Sequence, residues 1–166
     1  MKCLILVRHA KSDWGNPSLD DFDRPLSERG KTDAPAMARR LLDKKMKIDL
    51  FVSSPAKRAA RTAKAFAEEF NAKKKRLIFR QELYLPSSSD FEKVIAEINN
   101  KFETVAVFSH NNGITDFANR LTDTSIDNIP TCGVFAVKAD CRDWKAFSGA
   151  KKEFWFFDYP KAVPEN

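Results

Sequence analysis

Two histidines, His9 and His110, are the whole imidazole complement of this 166-residue chain, and each follows a short apolar run. Cys3 to Val7 lead into Arg8-His9, and Thr104 to Phe108 lead into Ser109-His110. Unbroken apolar runs rich in branched side chains read as strands buried on both faces, as in parallel sheets. In open α/β sheets, ligands bind in the crevice past the C-terminal ends of the strands. If the two runs are parallel neighbours, both histidines stand on one edge. Around them fall Arg8, Arg24, Arg58 and Arg61. A guanidinium fork matches phosphate oxygens bidentately, and helix N-termini aim backbone N–H groups at anions. The set describes a positive, anion-accepting pocket with imidazole inside it, and phosphoryl transfer to nitrogen would use all of it. A plainer alternative, with Arg8 ending a strand and His9 a satisfied surface imidazole, stays open at this point.

The elements that must position these residues follow from pattern. The polar, acidic, Pro-bearing stretch Asn16 to Pro25 reads as a loop leaving the first strand. Ser27 is the expected N-cap of a first helix whose stripe is Ala34, Met37, Ala38, Leu41 and Leu42, with Pro35 a possible kink. Ile48 to Val52 read as a strand, after which Ser54 is expected to cap a helix and Pro55 to sit in its first turn. That second helix carries Ala59, Ala63, Phe66, Ala67 and Phe70 on one face, with Arg58 in its first turn. Arg61, one turn on, reads as a surface or salt-bridge residue. A third strand spans 77–79, and Phe91, Val94, Ile95 and Ile98 mark a third helix. Ile114, Phe117, Ala118 and Leu121 mark a fourth, and Val134 to Val137 and Phe154 to Phe157 read as late strands. The aromatic run 154–157 is expected to pack on both sides, the alternative being a dimer seam. Strands alternating with helices argue for one three-layer α/β/α sandwich over 1–166, its sheet mostly parallel with helices on both faces.

Composition narrows the classes. With 29 Lys and Arg against 23 Asp and Glu, the net charge is +6. That favours acidic substrates and phosphoproteins without naming one. The basic run Lys73 to Arg76 reads as a solvated helix end, and the chain has no aromatic-basic motif, so no nucleic-acid partner is expected. Three cysteines with no CxxC spacing argue against a disulfide framework or a zinc site. No stretch is long and apolar enough to span a bilayer, so no membrane is expected and the simplest location is the cytoplasm.

Four ordered segments then carry a resemblance: Leu6-Val7-Arg8-His9-Ala10, Arg24-Pro25-Leu26-Ser27, Ser54-Pro55-Ala56-Lys57-Arg58-Ala59 with Thr62, and Phe108-Ser109-His110. Together the chain resembles the histidine phosphatase superfamily, of phosphoglycerate mutase-like fold, and is most similar to its small SixA-like phosphohistidine phosphatase branch. The resemblance implies that His9 is the nucleophile of a transient phosphohistidine, and that Arg8, Arg58 and His110 bind the phosphoryl oxygens, with no metal or other cofactor. Arg24, Ser12 and Asn112 are further substrate-binding candidates. Many superfamily members place a glutamate after the third strand as acid for the leaving oxygen. Here the region reads Gln81-Glu82-Leu83-Tyr84-Leu85-Pro86, with leucine in that place, which leaves Asp13 or Glu82 as candidate acids.

The expected activity is removal of a phosphoryl group from phosphohistidine in proteins, since a phosphoramidate departs with less help from an acid than an alkoxide does. A small phosphomonoester phosphatase and a phosphate-binding module without turnover are the competing readings.

Overall fold

The computed structural model describes residues 1–162. Six strands form one sheet in the order β3-β2-β4-β1-β5-β6. They are β1 (Lys2–Arg8), β2 (Leu50–Ser53), β3 (Leu77–Phe79), β4 (Thr104–Ser109), β5 (Val134–Ala139) and β6 (Lys152–Asp158). The pairs β1–β4, β2–β4 and β2–β3 are parallel, whereas β5 runs antiparallel to both β1 and β6. Only β5 is therefore reversed.

Successive strand residues point to opposite faces, so each central strand feeds two cores. Leu4, Leu6, Val105 and Val107 pack with Phe91, Val94, Ile114 and Phe117, from α3 (Ser88–Ala96) and α4 (Gly113–Leu121). Ile5, Val7, Ala106 and Phe108 pack with Met37, Leu41, Ala63 and Phe66, from α1 (Glu28–Asp43) and α2 (Lys57–Glu69). The sandwich has three layers, as the pattern predicted. Among the described residues no helix is long and apolar enough to cross a membrane.

Local chemistry explains the helix starts. Ser27 Oγ accepts from the Gly30 amide at 3.1 Å, and Pro35 lies inside α1 without ending it. At Gly30 the helix presses on the segment after β1: an added Cβ would stand 2.2 Å from the Lys11 carbonyl oxygen. One expectation fails. Ser54 does not cap α2: the helix begins three residues later, after Ala56, and the Ser54 hydroxyl turns toward His110. The aromatic run packs on both faces of β6, Phe157 against one core and Trp155 and Phe156 against the other, although β6 is an edge strand and Phe154 stays 39% exposed.

Candidate active site

The register of β1 against β4 sets the centre of the site. Arg8 pairs with Ser109, so the residues that follow, His9 and His110, emerge side by side past two parallel strand ends. The His9 amide continues the ladder to the Ser109 carbonyl at 3.1 Å, and the ring centroids are 5.2 Å apart. Both rings are buried. β2, on the far side of β4, delivers Ser54 to the same edge, where its Oγ lies 2.7 Å from His110 Nε2.

Arg58 arrives from the first turn of α2. Its Nε donates to His9 Nε2 at 3.3 Å, and the residue is 3% exposed. Thr62 fixes this turn: its hydroxyl donates to the Arg58 carbonyl at 2.8 Å and accepts from the Ala10 amide at 3.0 Å. Arg8 donates through Nη1 to the Ile129 carbonyl at 2.9 Å. Arg24, in extended backbone before Pro25, donates from Nε to Ser12 Oγ at 3.2 Å and stacks 3.4 Å over the Trp14 ring. These groups line a cleft of about 560 Å³.

The protonation state follows from burial and partners. His9 Nδ1 lies 2.7 Å from the Ala10 carbonyl oxygen, which can only accept, so the ring proton is on Nδ1. Burial lowers the imidazole to about 4; the Ala10 carbonyl works against this, and the charges of Arg58, Arg8 and Arg24 add to it. Near neutral pH, His9 Nε2 is therefore unprotonated, and its lone pair accepts from Arg58 Nε. Burial, then His9 and Arg58, lower His110 to about 3. Two buried side-chain polar atoms among the described residues have no hydrogen-bond partner, Arg8 Nε and His110 Nδ1, and both belong to this site. Leaving a buried donor unsatisfied costs about 1–3 kcal/mol. An oxyanion in the cleft is the group that would satisfy such donors.

The other sequence candidates divide. Ser12 and Arg24 line the cleft. Asn112 is exposed at the start of α4, and the adjacent Asn111 lines the cleft in its place. Glu82 is turned away into an ion pair with Arg80 at 2.6 Å, which holds its carboxyl at about 2. A carboxylate so held carries no proton to donate. Asp13 accepts the Gly15 amide at 2.7 Å in a local turn and does not line the cleft. Arg61 is exposed on α2, outside the cleft.

Among the described residues two carboxylates line the cleft: Asp33 of α1, paired with Arg29 at 3.5 Å, and Asp21 of the acidic loop, which is tied to the site's cations. Asp21 accepts from Arg58 Nη2 at 2.9 Å, pairs with Arg24 Nη1 at 3.0 Å, and accepts the Tyr84 hydroxyl at 2.7 Å. Burial works against its charge, but the Tyr84 hydroxyl and Arg58 outweigh it and hold the carboxyl below the usual range. Tyr84 also stands edge-on to His110, with centroids 5.4 Å apart. The sequence signal for Asp21 was an acidic loop leading into Arg24-Pro25. Asp20, Asp21 and Asp23 fit that signal equally, and only the fold selects among them.

Comparison with known proteins adds three findings. The sequence model of the histidine phosphatase superfamily (branch 1) matches residues 4–84. An uncharacterised chloroplast protein of Arabidopsis thaliana is 29% identical over 150 residues, covering 86% of this chain and 68% of that protein. Phosphoserine phosphatase 1 of Hydrogenobacter thermophilus is 43% identical over 70 residues, which are 41% of this chain and 32% of that enzyme. Among solved structures, the protein histidine phosphatase SixA complexed with tungstate superposes with a TM-score of 0.81. It is 19% identical, covering 95% of this chain and 97% of that one, a likeness of fold.

Proposed function

We propose that the chain, whose residues 4–84 match the histidine phosphatase superfamily model, is a phosphatase of that superfamily and acts on phosphohistidine in proteins through a covalent phosphohistidine on its own His9. The observation that carries this reading is the His9 tautomer. With Nδ1–H held by the Ala10 carbonyl, the lone pair of Nε2 is directed at the buried cations.

In the first step His9 Nε2 forms a bond to phosphorus as the phosphorus–nitrogen bond of the substrate breaks, and the departing imidazole nitrogen takes up a proton from solvent water. Water then attacks phosphorus, inorganic phosphate leaves, and neutral His9 is restored. Arg8 and Arg58 neutralise the equatorial oxygens. In this reading the Ser54 hydroxyl donates to His110 Nε2, which leaves the His110 proton on Nδ1, the unpartnered atom, as a further donor. Asp21 holds the Arg58 plane against His9.

The carboxylates support phosphohistidine over esters. Asp21 is held ionised, Asp33 pairs with Arg29, Glu82 is paired elsewhere and Asp13 is turned into its own loop. An alkoxide leaving group needs a proton donor in the transition state more than imidazole does. The fold likeness to a protein histidine phosphatase points the same way. One observation favours a phosphomonoester as second reading: the local 43% identity to an enzyme named for phosphoserine. The cytoplasmic location belongs to the same proposal as the protein substrate.

The test is to quench the protein under alkaline conditions while it turns over a histidine-phosphorylated peptide or, separately, phosphoserine, and to map peptides by mass. The expected result is a phosphoryl group on the His9 peptide and faster turnover of phosphohistidine. Faster turnover of phosphoserine would replace the substrate assignment, and a phosphoryl group on another residue would replace the nucleophile.

A further inference from the structure

A second basic region lies beside the catalytic cleft. A groove of about 450 Å³ runs between α1 and α2, and its rim carries Lys31, Lys57, Arg61 and Lys64. Lys57, Arg61 and Lys64 recur at four and three residues along α2, so they form one exposed row. Among the described residues these three make no ion pair, whereas Lys31 pairs with Glu28 at 3.2 Å. The floor is apolar: Leu26, Ala34 and Ala65, on which the lysine methylenes can lie. The groove starts one residue from the site at both ends of its lining, since Pro25 follows Arg24 and Lys57 precedes Arg58.

We infer that this groove docks an extended acidic segment of the phosphohistidine-bearing protein, an inference that rests on the phosphohistidine reading above. Adjacent cations on the row are separated by about 4.5–6 Å along the helix axis, from a rise of ~1.5 Å per residue. Alternate side chains of an extended segment repeat at about 6.6 Å. Two carboxylates at alternate positions therefore match the Lys57–Arg61 step of about 6 Å, and the long Lys64 side chain reaches toward a third, while the intervening side chains face the apolar floor. Three features favour peptide over nucleic acid: no aromatic side chain lines the groove for bases to stack on, Glu68 stands at the far end of the row, and phosphohistidine chemistry lies next door. Charges so exposed act on encounter and affinity, leaving the chemical step to the cleft.

The experiment uses two histidine-phosphorylated peptides, identical except for a flanking run with alternate glutamates or alternate glutamines. They are assayed with the unaltered protein and with R61E/K64E, whose folding is checked by circular dichroism. The unaltered protein is expected to favour the glutamate peptide in kcat/KM by roughly tenfold, the scale of two exposed ion pairs. R61E/K64E should lose that preference while its kcat/KM on an aryl phosphate stays unchanged. Equal use of both peptides by the unaltered protein, or a preference that survives in R61E/K64E, overturns the groove assignment. Failure to cleave either peptide while the aryl phosphate is hydrolysed overturns the phosphohistidine reading instead. In that case, fluorescence anisotropy with the unphosphorylated glutamate peptide decides the groove: binding lost in R61E/K64E supports it, and no binding overturns it. Tighter binding of a single-stranded oligonucleotide of equal charge would reassign the groove to nucleic acid.

Discussion

His9 and His110 occupy equivalent places, one residue past the ends of neighbouring parallel strands, yet their ring nitrogens are used in opposite ways. His9 has its Nδ1 bound to a carbonyl and its Nε2 facing Arg58. His110 has its Nε2 bound to a serine hydroxyl and its Nδ1 without a partner. Strand topology brings two imidazoles together, and under the proposed function the partner of the second nitrogen makes one ring the nucleophile and the other a donor. A carbonyl forces a proton onto the nitrogen it touches, whereas a hydroxyl can adapt to either state.

The most severe way to break the comparison is His9→Ala. We expect turnover of any phosphoryl substrate to fall by about 10⁴-fold or more, measured as single-turnover phosphate release. A variant that retained turnover would remove His9 as nucleophile. His110→Ala should cost less, about 10²–10³-fold in kcat, the scale of one oxyanion donor, and the phosphoryl group should still appear on His9. Equal losses for the two variants, with no phosphoryl trace in either, would erase the distinction.

Both rings hold fewer protons in the folded chain than in the unfolded one below the ordinary value of 6.5. Folding stability is therefore expected to fall as pH drops from about 6.5 toward about 4 for His9 and about 3 for His110, by on the order of a few kcal/mol for the pair. Urea unfolding at pH 7.5 and at pH 5 measures this, and each alanine variant should flatten its own part of the slope. A slope unchanged by both variants would mean the rings are not held neutral. The mildest change, Ser54→Ala, removes one hydrogen bond from His110 and none from His9. We expect about a tenfold loss in kcat with KM little altered, an energy of ~1.4 kcal/mol. A loss confined to KM would show that Ser54 acts on binding and does not orient His110.

Much of this was legible in the residues. Cys3 to Val7 and Thr104 to Phe108 are apolar on both faces, so they had to be central strands, and the polar residues that end them had to emerge at an edge. The stripe Ala59, Ala63, Phe66 likewise fixed which side of α2 is buried. Glu82 shows where such reasoning stops. Its closeness in sequence to the third strand made it a candidate acid, but Arg80, two residues earlier, reaches it directly and holds it. Ser54 fitted a helix cap by type and spacing and was taken instead by a histidine 56 residues away.

By itself, then, the sequence determined the layers, the strand ends and the presence of two imidazoles among arginines, because periodicity and chain order are local properties. The β1–β4 register, the choice of Asp21 among three neighbouring aspartates, the tautomer of His9 and the serine partner of His110 were decided only by the tertiary structure. Each depends on which groups from distant segments share a buried volume. There, removal from water makes every donor and acceptor find a partner, and the partner available sets the chemistry.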